Sequence, residues 1–233
     1  MSEMKLGDNG VFITLEGADG LGKSTLYNGI INSLRQKGFK ISTFDYPRKE
    51  GTPIGVLIGD FLKGKYGEVM PEFLALAFAI DRMDSKTEIR QCLDRGEAVF
   101  SDRYVQSNIA YQATKLDDKN RVEELVSLIE WLEFDVFKLP RPDFEIILTA
   151  PDSHYTSGDY LKRGDDNSRN YLDNPQEGDI HEMQKELQVR VNNNYRTLPH
   201  KEGRFIVDIY HTDQSTRKSR GELLQEVLSL LNH

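Results

Sequence analysis

The chain has 233 residues, a net charge of −8 and 38% hydrophobic residues. That is enough apolar material for a sizeable core. Its acidity argues against a nucleic-acid or membrane-surface partner, since both need a basic face, and one cysteine, Cys92, excludes a disulfide framework and a cysteine-based zinc site.

Residues 11–16 are a short apolar run rich in β-branched side chains and read as a strand. Gly17-Ala18-Asp19-Gly20-Leu21-Gly22-Lys23-Ser24 follows, and Leu26, Ile30, Ile31 and Leu34 then give a helical stripe closed by Lys37-Gly38. Residues 39–44 read as a second strand. Ile54, Leu57, Ile58, Phe61 and Leu62 mark a helix ending at Gly64, and 73–93 a long one. A third strand, 97–100, leads to Asp102. Helices are expected over 105–115 and 122–137, before Leu139-Pro140-Arg141-Pro142 breaks the chain. A buried strand is expected at 144–148, a helix at 183–198, a short strand at 205–207 and a last helix at 223–231. Between them, 152–178 is polar and lacks apolar periodicity, as a lid would be. Alternating strands and helices imply an α/β fold in one domain, 1–233, with a parallel sheet, helices on both faces and ligands at the carboxyl ends of strands. No N-terminal stretch resembles a signal peptide and no run is long enough to span a bilayer, so a cytoplasmic location is expected.

Strand, glycine-rich turn and helix form the context of a phosphate-binding P-loop. Its amides and the helix N-terminus attract phosphate oxygens. Gly17, Ala18, Asp19, Gly20, Leu21, Gly22, Lys23, Ser24 and Thr25 are the expected ATP-binding residues, with Lys23 reaching the terminal phosphates and Ser24 offering a hydroxyl to Mg²⁺. Asp102, at the end of an apolar strand, suits a metal ligand; the alternative is a helix N-cap, and the two roles can coexist. Arg103 has the donor fork that fits phosphate, with a surface ion pair as the alternative. Phe78 and Arg82 lie four apart, on one helix face. By spacing alone such an aromatic is more often core than ligand-binding. The five histidines show no metal-ligand spacing.

Together with the P-loop, Tyr46-Pro47-Arg48, Phe78-Ala79-Ile80-Asp81-Arg82, Asp102-Arg103-Tyr104, Ser107-Asn108, Tyr111-Gln112 and Leu139-Pro140-Arg141-Pro142-Asp143 resemble, in order and spacing, the thymidylate kinase family. The resemblance runs from Phe12 to about Tyr195. It implies a three-layer α/β/α P-loop NTPase fold with a five-stranded parallel sheet and a lid segment, ATP and dTMP as substrates, Mg²⁺ as cofactor and a homodimer. It assigns Asp19, Tyr46, Arg48, Phe78, Arg82, Arg103, Asn108, Tyr111 and Gln112 to the dTMP site. In that scheme Phe78 stacks on the base, Arg82 and Asn108 bond its edge, and Arg103 holds the acceptor phosphate. Arg48 shares that phosphate, with Lys49 as the alternative. Asp19 bonds the 3′-hydroxyl, and Tyr111 fills the space a 2′-hydroxyl needs. Lys23 and Arg103 are catalytic. Gly20 stands where some relatives carry a P-loop arginine, so the transition-state charge falls to the lid, where Lys162, Arg163 and Arg169 lie; Arg163 and Arg169 are the catalytic candidates. The acid that relatives carry directly after a lid aromatic is missing, because Tyr171 is followed by Leu172. An adenine pocket near 208–213 follows from family topology alone.

Overall fold

The computed structural model describes residues 10–49, 51–156 and 177–231, the side chains of 177–184 excepted. Five strands, β1 (Val11–Gly17), β2 (Ile41–Asp45), β3 (Ala98–Asp102), β4 (Phe144–Thr149) and β5 (Arg204–Asp208), pair in parallel in the order β2-β3-β1-β4-β5. The expected five-stranded parallel sheet is present. β1 lies at its centre and reads as a continuous apolar run because it is covered on both faces; Phe12, Ile13 and Leu15 are all fully buried. The order reverses around β1: the chain passes from β3 across it to β4, which opens a crevice at the carboxyl ends of β1 and β3.

The helices are α1 (Lys23–Gln36), α2 (Pro53–Leu62), α3 (Pro71–Asp94), α4 (Val105–Ala113), α5 (Lys119–Glu130), α6 (Ser153–Thr156), α7 (Glu177–Arg196) and α8 (Arg220–Leu230). Their starts follow capping chemistry. Thr52 caps α2 ahead of Pro53, Asp118 caps α5, and Ser219 with Glu222 forms a capping box on α8. α1 packs against α8, α3 against α4, and α4 against both α5 and α7. One buried cluster joins Ile13, Leu15, Leu26, Ile30, Leu34, Ile146, Leu148, Tyr195 and Val227. The other joins Phe12, Val99, Tyr104, Ile89, Ile109, Ile129 and Phe134. Among the described residues no helix is long and apolar enough to cross a membrane.

Several boundaries differ from the sequence expectation. Asp102 is the last residue of β3 rather than the residue beyond it, and α7 begins at Glu177, six residues ahead of the apolar periodicity at Met183. The helix expected over 122–137 starts at Lys119 and gives way at Trp131–Val136 to a π-helical turn. That turn buries both Glu133 and Phe134, and a widened turn of this kind is frequent at functional sites.

Candidate active site

The P-loop spans the end of β1 and the start of α1. Gly20 (φ 80°) and Gly22 (φ 88°) take left-handed backbone, which only glycine adopts without strain, and this turns the loop back toward the helix N-terminus. Lys23, 4% exposed, donates from Nζ to the Ala18 carbonyl at 2.6 Å and lies 3.8 Å from Asp19 Oδ1. Its charge is thus folded over the loop that would hold phosphate. The short helix α6 braces the loop from the β4 side, with His154 Nε2 3.3 Å from the Gly20 carbonyl. Arg217 braces it from beyond β5, donating to the Leu21 carbonyl at 3.2 Å.

Arg103 follows β3 at φ 67°, a left-handed backbone that is uncommon outside glycine and concentrates at functional sites. The conformation is held on both sides. Its N–H donates to the Leu15 carbonyl at 2.9 Å, and its carbonyl accepts from Ser101 Oγ at 2.6 Å. The side chain is buried against the P-loop. Nη1 donates to the Gly17 carbonyl and to Ser107 Oγ, each at 3.2 Å, while Nη2 donates to Asp19 Oδ1 at 2.6 Å and Tyr111 OH at 3.2 Å. Burial opposes its charge, but Tyr111 and Asp19 outweigh burial and hold its pKa well above the ordinary arginine value.

Beyond Arg103 opens a cavity of about 340 Å³. Asp19, Tyr46, Phe78, Arg82, Arg103, Asn108, Tyr111 and Gln112 all line it. Arg48 does not. It is turned onto α3, where Nε donates to Asp81 Oδ1 at 3.1 Å and Nη2 to Asp84 Oδ2 at 3.0 Å. Two carboxylates have captured its fork, and Lys49 stands in the cavity wall instead. Asn108 Oδ1 and Gln112 Oε1 are buried acceptors with no partner among the described residues. Two unsatisfied buried polar atoms in one wall mark a site that awaits a polar ligand.

Other lining residues carried no sign of a binding role in the sequence. Asp45, Pro47, Phe61, Leu62, Leu74, Lys115 and Leu187 come from six separate elements or loops. Gln188, on α7, anchors the P-loop acid: the Asp19 N–H donates to its Oε1 at 2.8 Å, and its Nε2 donates to Asp19 Oδ2 at 3.3 Å. Glu16, fully buried at the end of β1, accepts from Ser107 Oγ at 2.5 Å and Tyr195 OH at 3.1 Å. Burial pushes its pKa up to about 7, against the bond from Ser107 and the nearby Arg103 charge. The Glu16-Gly17 pair was legible as the end of a strand, but the partners that define its chemistry lie about 90 and 180 positions away.

Asp102 Oδ1 is likewise buried and has no partner among the described residues. Asp102 pairs across the sheet with Leu15, two residues before the P-loop glycine. Ser24 stands in the first turn of α1. A carboxylate oxygen left unsatisfied beside a phosphate loop, with a hydroxyl at the helix start, fits Mg²⁺, which takes few protein ligands and relies on phosphates and water for the rest. Among the described residues there is no cluster of three or more His, Cys, Asp or Glu able to hold a metal. Lys162, Arg163, Arg169 and Tyr171 lie outside the described residues.

The parallel sheet, the glycine loop and the crevice at its carboxyl edge define a P-loop NTPase fold. A family model, Thymidylate kinase, matches residues 15–218. The chain therefore belongs to the thymidylate kinase family. It is 33% identical over 143 residues to a thymidylate kinase of Mycobacterium tuberculosis, covering 60% of this chain and 66% of the relative. It is 39% identical over 118 residues to one from Clavibacter michiganensis, covering 50% of this chain and 55% of the relative. The matched stretch thus spans less than two thirds of these curated relatives. A solved thymidylate kinase from Candida albicans, described as having broad substrate specificity, superposes with a TM-score of 0.66 at 24% identity over 97% of this chain and 94% of that one. At that identity the likeness speaks for the fold.

Proposed function

We propose that the chain transfers the γ-phosphoryl group of ATP to dTMP, giving dTDP and ADP. The observation that carries this is the position of Arg103. One guanidinium touches the P-loop, at the Gly17 carbonyl and Asp19, and also the cavity wall, at Ser107 and Tyr111. A phosphate loop and a base-sized cavity thus share one cationic wall, the arrangement that in-line transfer between two nucleotides requires.

In this scheme the P-loop amides and Lys23 hold the ATP phosphates. Arg103 exchanges its present acceptors for the acceptor phosphate and draws it toward the γ-phosphorus. An acceptor oxygen forms the new P–O bond while the bond to ADP breaks. Charge on the migrating group is the main barrier, and preorganised cations are the main remedy. Ser24 and Asp102 would hold Mg²⁺, which shields the phosphate charge. Gly20 adds no cation to the loop, so Arg163 and Arg169 are assigned the remaining transition-state charge, with Lys162 beside them. Phe78 stacks on the base, Arg82 and Asn108 bond its edge, and Gln112 stands in the same wall. Tyr46 supports the pocket floor, and Asp19 with Tyr111 meets the sugar. Lys49 takes the phosphate-binding part first given to Arg48. One domain acting in the cytoplasm as a homodimer completes the proposal.

A coupled ADP-release assay tests it. Release should require a nucleoside monophosphate, be fastest with dTMP, and stay at background with thymidine, which lacks the accepting phosphate. ATP binding without transfer to any monophosphate would refute the proposal.

A further inference from the structure

The π-helical turn after α5 places one carboxylate beneath the cavity, and that carboxylate has no part in phosphate chemistry. Glu133 is fully buried. Its two oxygens accept from Arg82 Nε and Nη2, each at 2.5 Å, in a two-pronged fork. Oε1 also accepts from Asn108 Nδ2 at 2.9 Å. The second hydrogen of Asn108 Nδ2 goes to the Ala75 carbonyl at 3.0 Å. Both amide hydrogens are therefore spent on acceptors that cannot donate.

This fixes which way round Asn108 stands. Turning its amide over would set Oδ1 against both the Glu133 carboxylate and the Ala75 carbonyl, oxygen against oxygen. In the observed orientation Oδ1 is left over, buried and without a partner among the described residues, in a residue that lines the cavity. Arg82 also lines the cavity, and the fork to Glu133 consumes Nε and Nη2, leaving Nη1 over. The wall thus offers a donor beside an acceptor.

We propose that Glu133 is the positioning residue that sets base selectivity, by locking Arg82 and Asn108 into a donor–acceptor pair that reads the lactam edge of a base, O=C–N–H. The inference rests on the base occupying this cavity, as in the reading above. Thymine and uracil present O4 beside N3–H, and 6-oxopurines present O6 beside N1–H. Cytosine and adenine present an amino group beside a bare ring nitrogen, so both contacts are reversed and two buried groups are left mismatched. Sites of this kind reject the wrong partner strongly, because its unpaired polar groups stay buried.

The experiment measures kcat/KM for two size-matched pairs, dUMP against dCMP and dIMP against dAMP, in the parent protein, Glu133→Gln and Glu133→Asp. The parent should favour the lactam member of each pair by about a hundredfold or more. Glu133→Gln removes the charge and one of the two acceptor oxygens that hold Arg82 and Asn108 together, so the pair is no longer fixed, and should narrow both ratios at least tenfold while the KM for ATP stays constant. Glu133→Asp keeps an acceptor-only group and should keep the ratios even where KM for the monophosphate rises. A parent that uses dCMP as well as dUMP overturns this inference while leaving the kinase reading intact. A Gln variant with unchanged ratios overturns it too, showing Glu133 to be structural only. Should the Gln variant not fold, Glu133→Ala takes its place: the same narrowing is expected, and unchanged ratios overturn the inference. Absence of transfer to every monophosphate overturns both proposals.

Discussion

Arg103 combines a left-handed backbone, a buried charge and four acceptors drawn from two sites. Its immediate surroundings in sequence, an acid before and a tyrosine after, showed only that a cation stands at a strand end. The acceptors that define its role come from 4 to 86 positions away. Replacing it with alanine should lower kcat/KM for transfer by on the order of 10³-fold, the scale of a lost charge clamp on a migrating phosphoryl. Steady-state kinetics on a variant with parental circular dichroism checks this, and near-normal activity would contradict it. Glu16 allows a second prediction. In the folded protein its carboxyl is raised from 4.5 to about 7. The folded state therefore keeps a proton that the unfolded chain releases. The stabilisation this gives is complete below pH 4.5 and is lost as pH rises through about 7, on the order of 3 kcal/mol in all. Glu16→Gln should remove that slope. Urea unfolding of parent and variant at pH 5 and pH 8 measures it, and parallel pH dependences would show that Glu16 does not carry the effect.

At the scale of elements, periodicity revealed the regular parts and missed the irregular ones. α1, α3 and β1 were legible because burial of one face, or of both faces, leaves a repeating apolar signature. The π-helical turn was not, because Glu133 looks like a solvated acid on a helix; its burial depends on Arg82, 51 positions away. The placement of Arg48 outside the cavity was hidden for a related reason. Asp81 and Asp84 lie 33 and 36 positions away and outcompete the cavity for its guanidinium. The P-loop itself was legible from glycine spacing, and its geometry yields a sharp test at Gly17. That residue has φ 139°, and a Cβ there would lie 2.7 Å from the Leu148 carbonyl oxygen, which is backbone in the neighbouring strand. Gly17→Ala should cost about 2 kcal/mol or more and weaken ATP binding. Urea unfolding and titration with ATP check the two effects. A variant that binds ATP as the parent does would show that β1 and β4 part without disturbing the loop.

Across the whole molecule, the parallel sheet, its helices on both faces and a site at the carboxyl ends of strands were legible in the alternation of strands and helices, whereas the strand order was not. Alternation says nothing of which surface would meet a second copy in the proposed homodimer. Along α3, Phe73, Leu76 and Met83 are exposed at 49%, 38% and 36%, at spacings that put them on one side of the helix. That row supports the proposed homodimer, because exposed apolar side chains aligned along one helix face gain by pairing. Leu76→Glu should convert a dimer to monomer in sedimentation velocity at micromolar concentration, and a parent that already sediments as a monomer would remove the proposal.

In the proposed reaction two nucleotides meet end to end across Arg103. The most direct measurement is a crystal structure with dTMP and a non-hydrolysable ATP analogue bound together. The analogue's phosphates should lie in the loop from Gly17 to Ser24 and the thymine between Phe78 and the Arg82–Asn108 pair. The dTMP phosphate should lie on Arg103, in line with the γ-phosphorus. Thymine bound outside this cavity, or an Arg103 side chain touching neither phosphate, would contradict it.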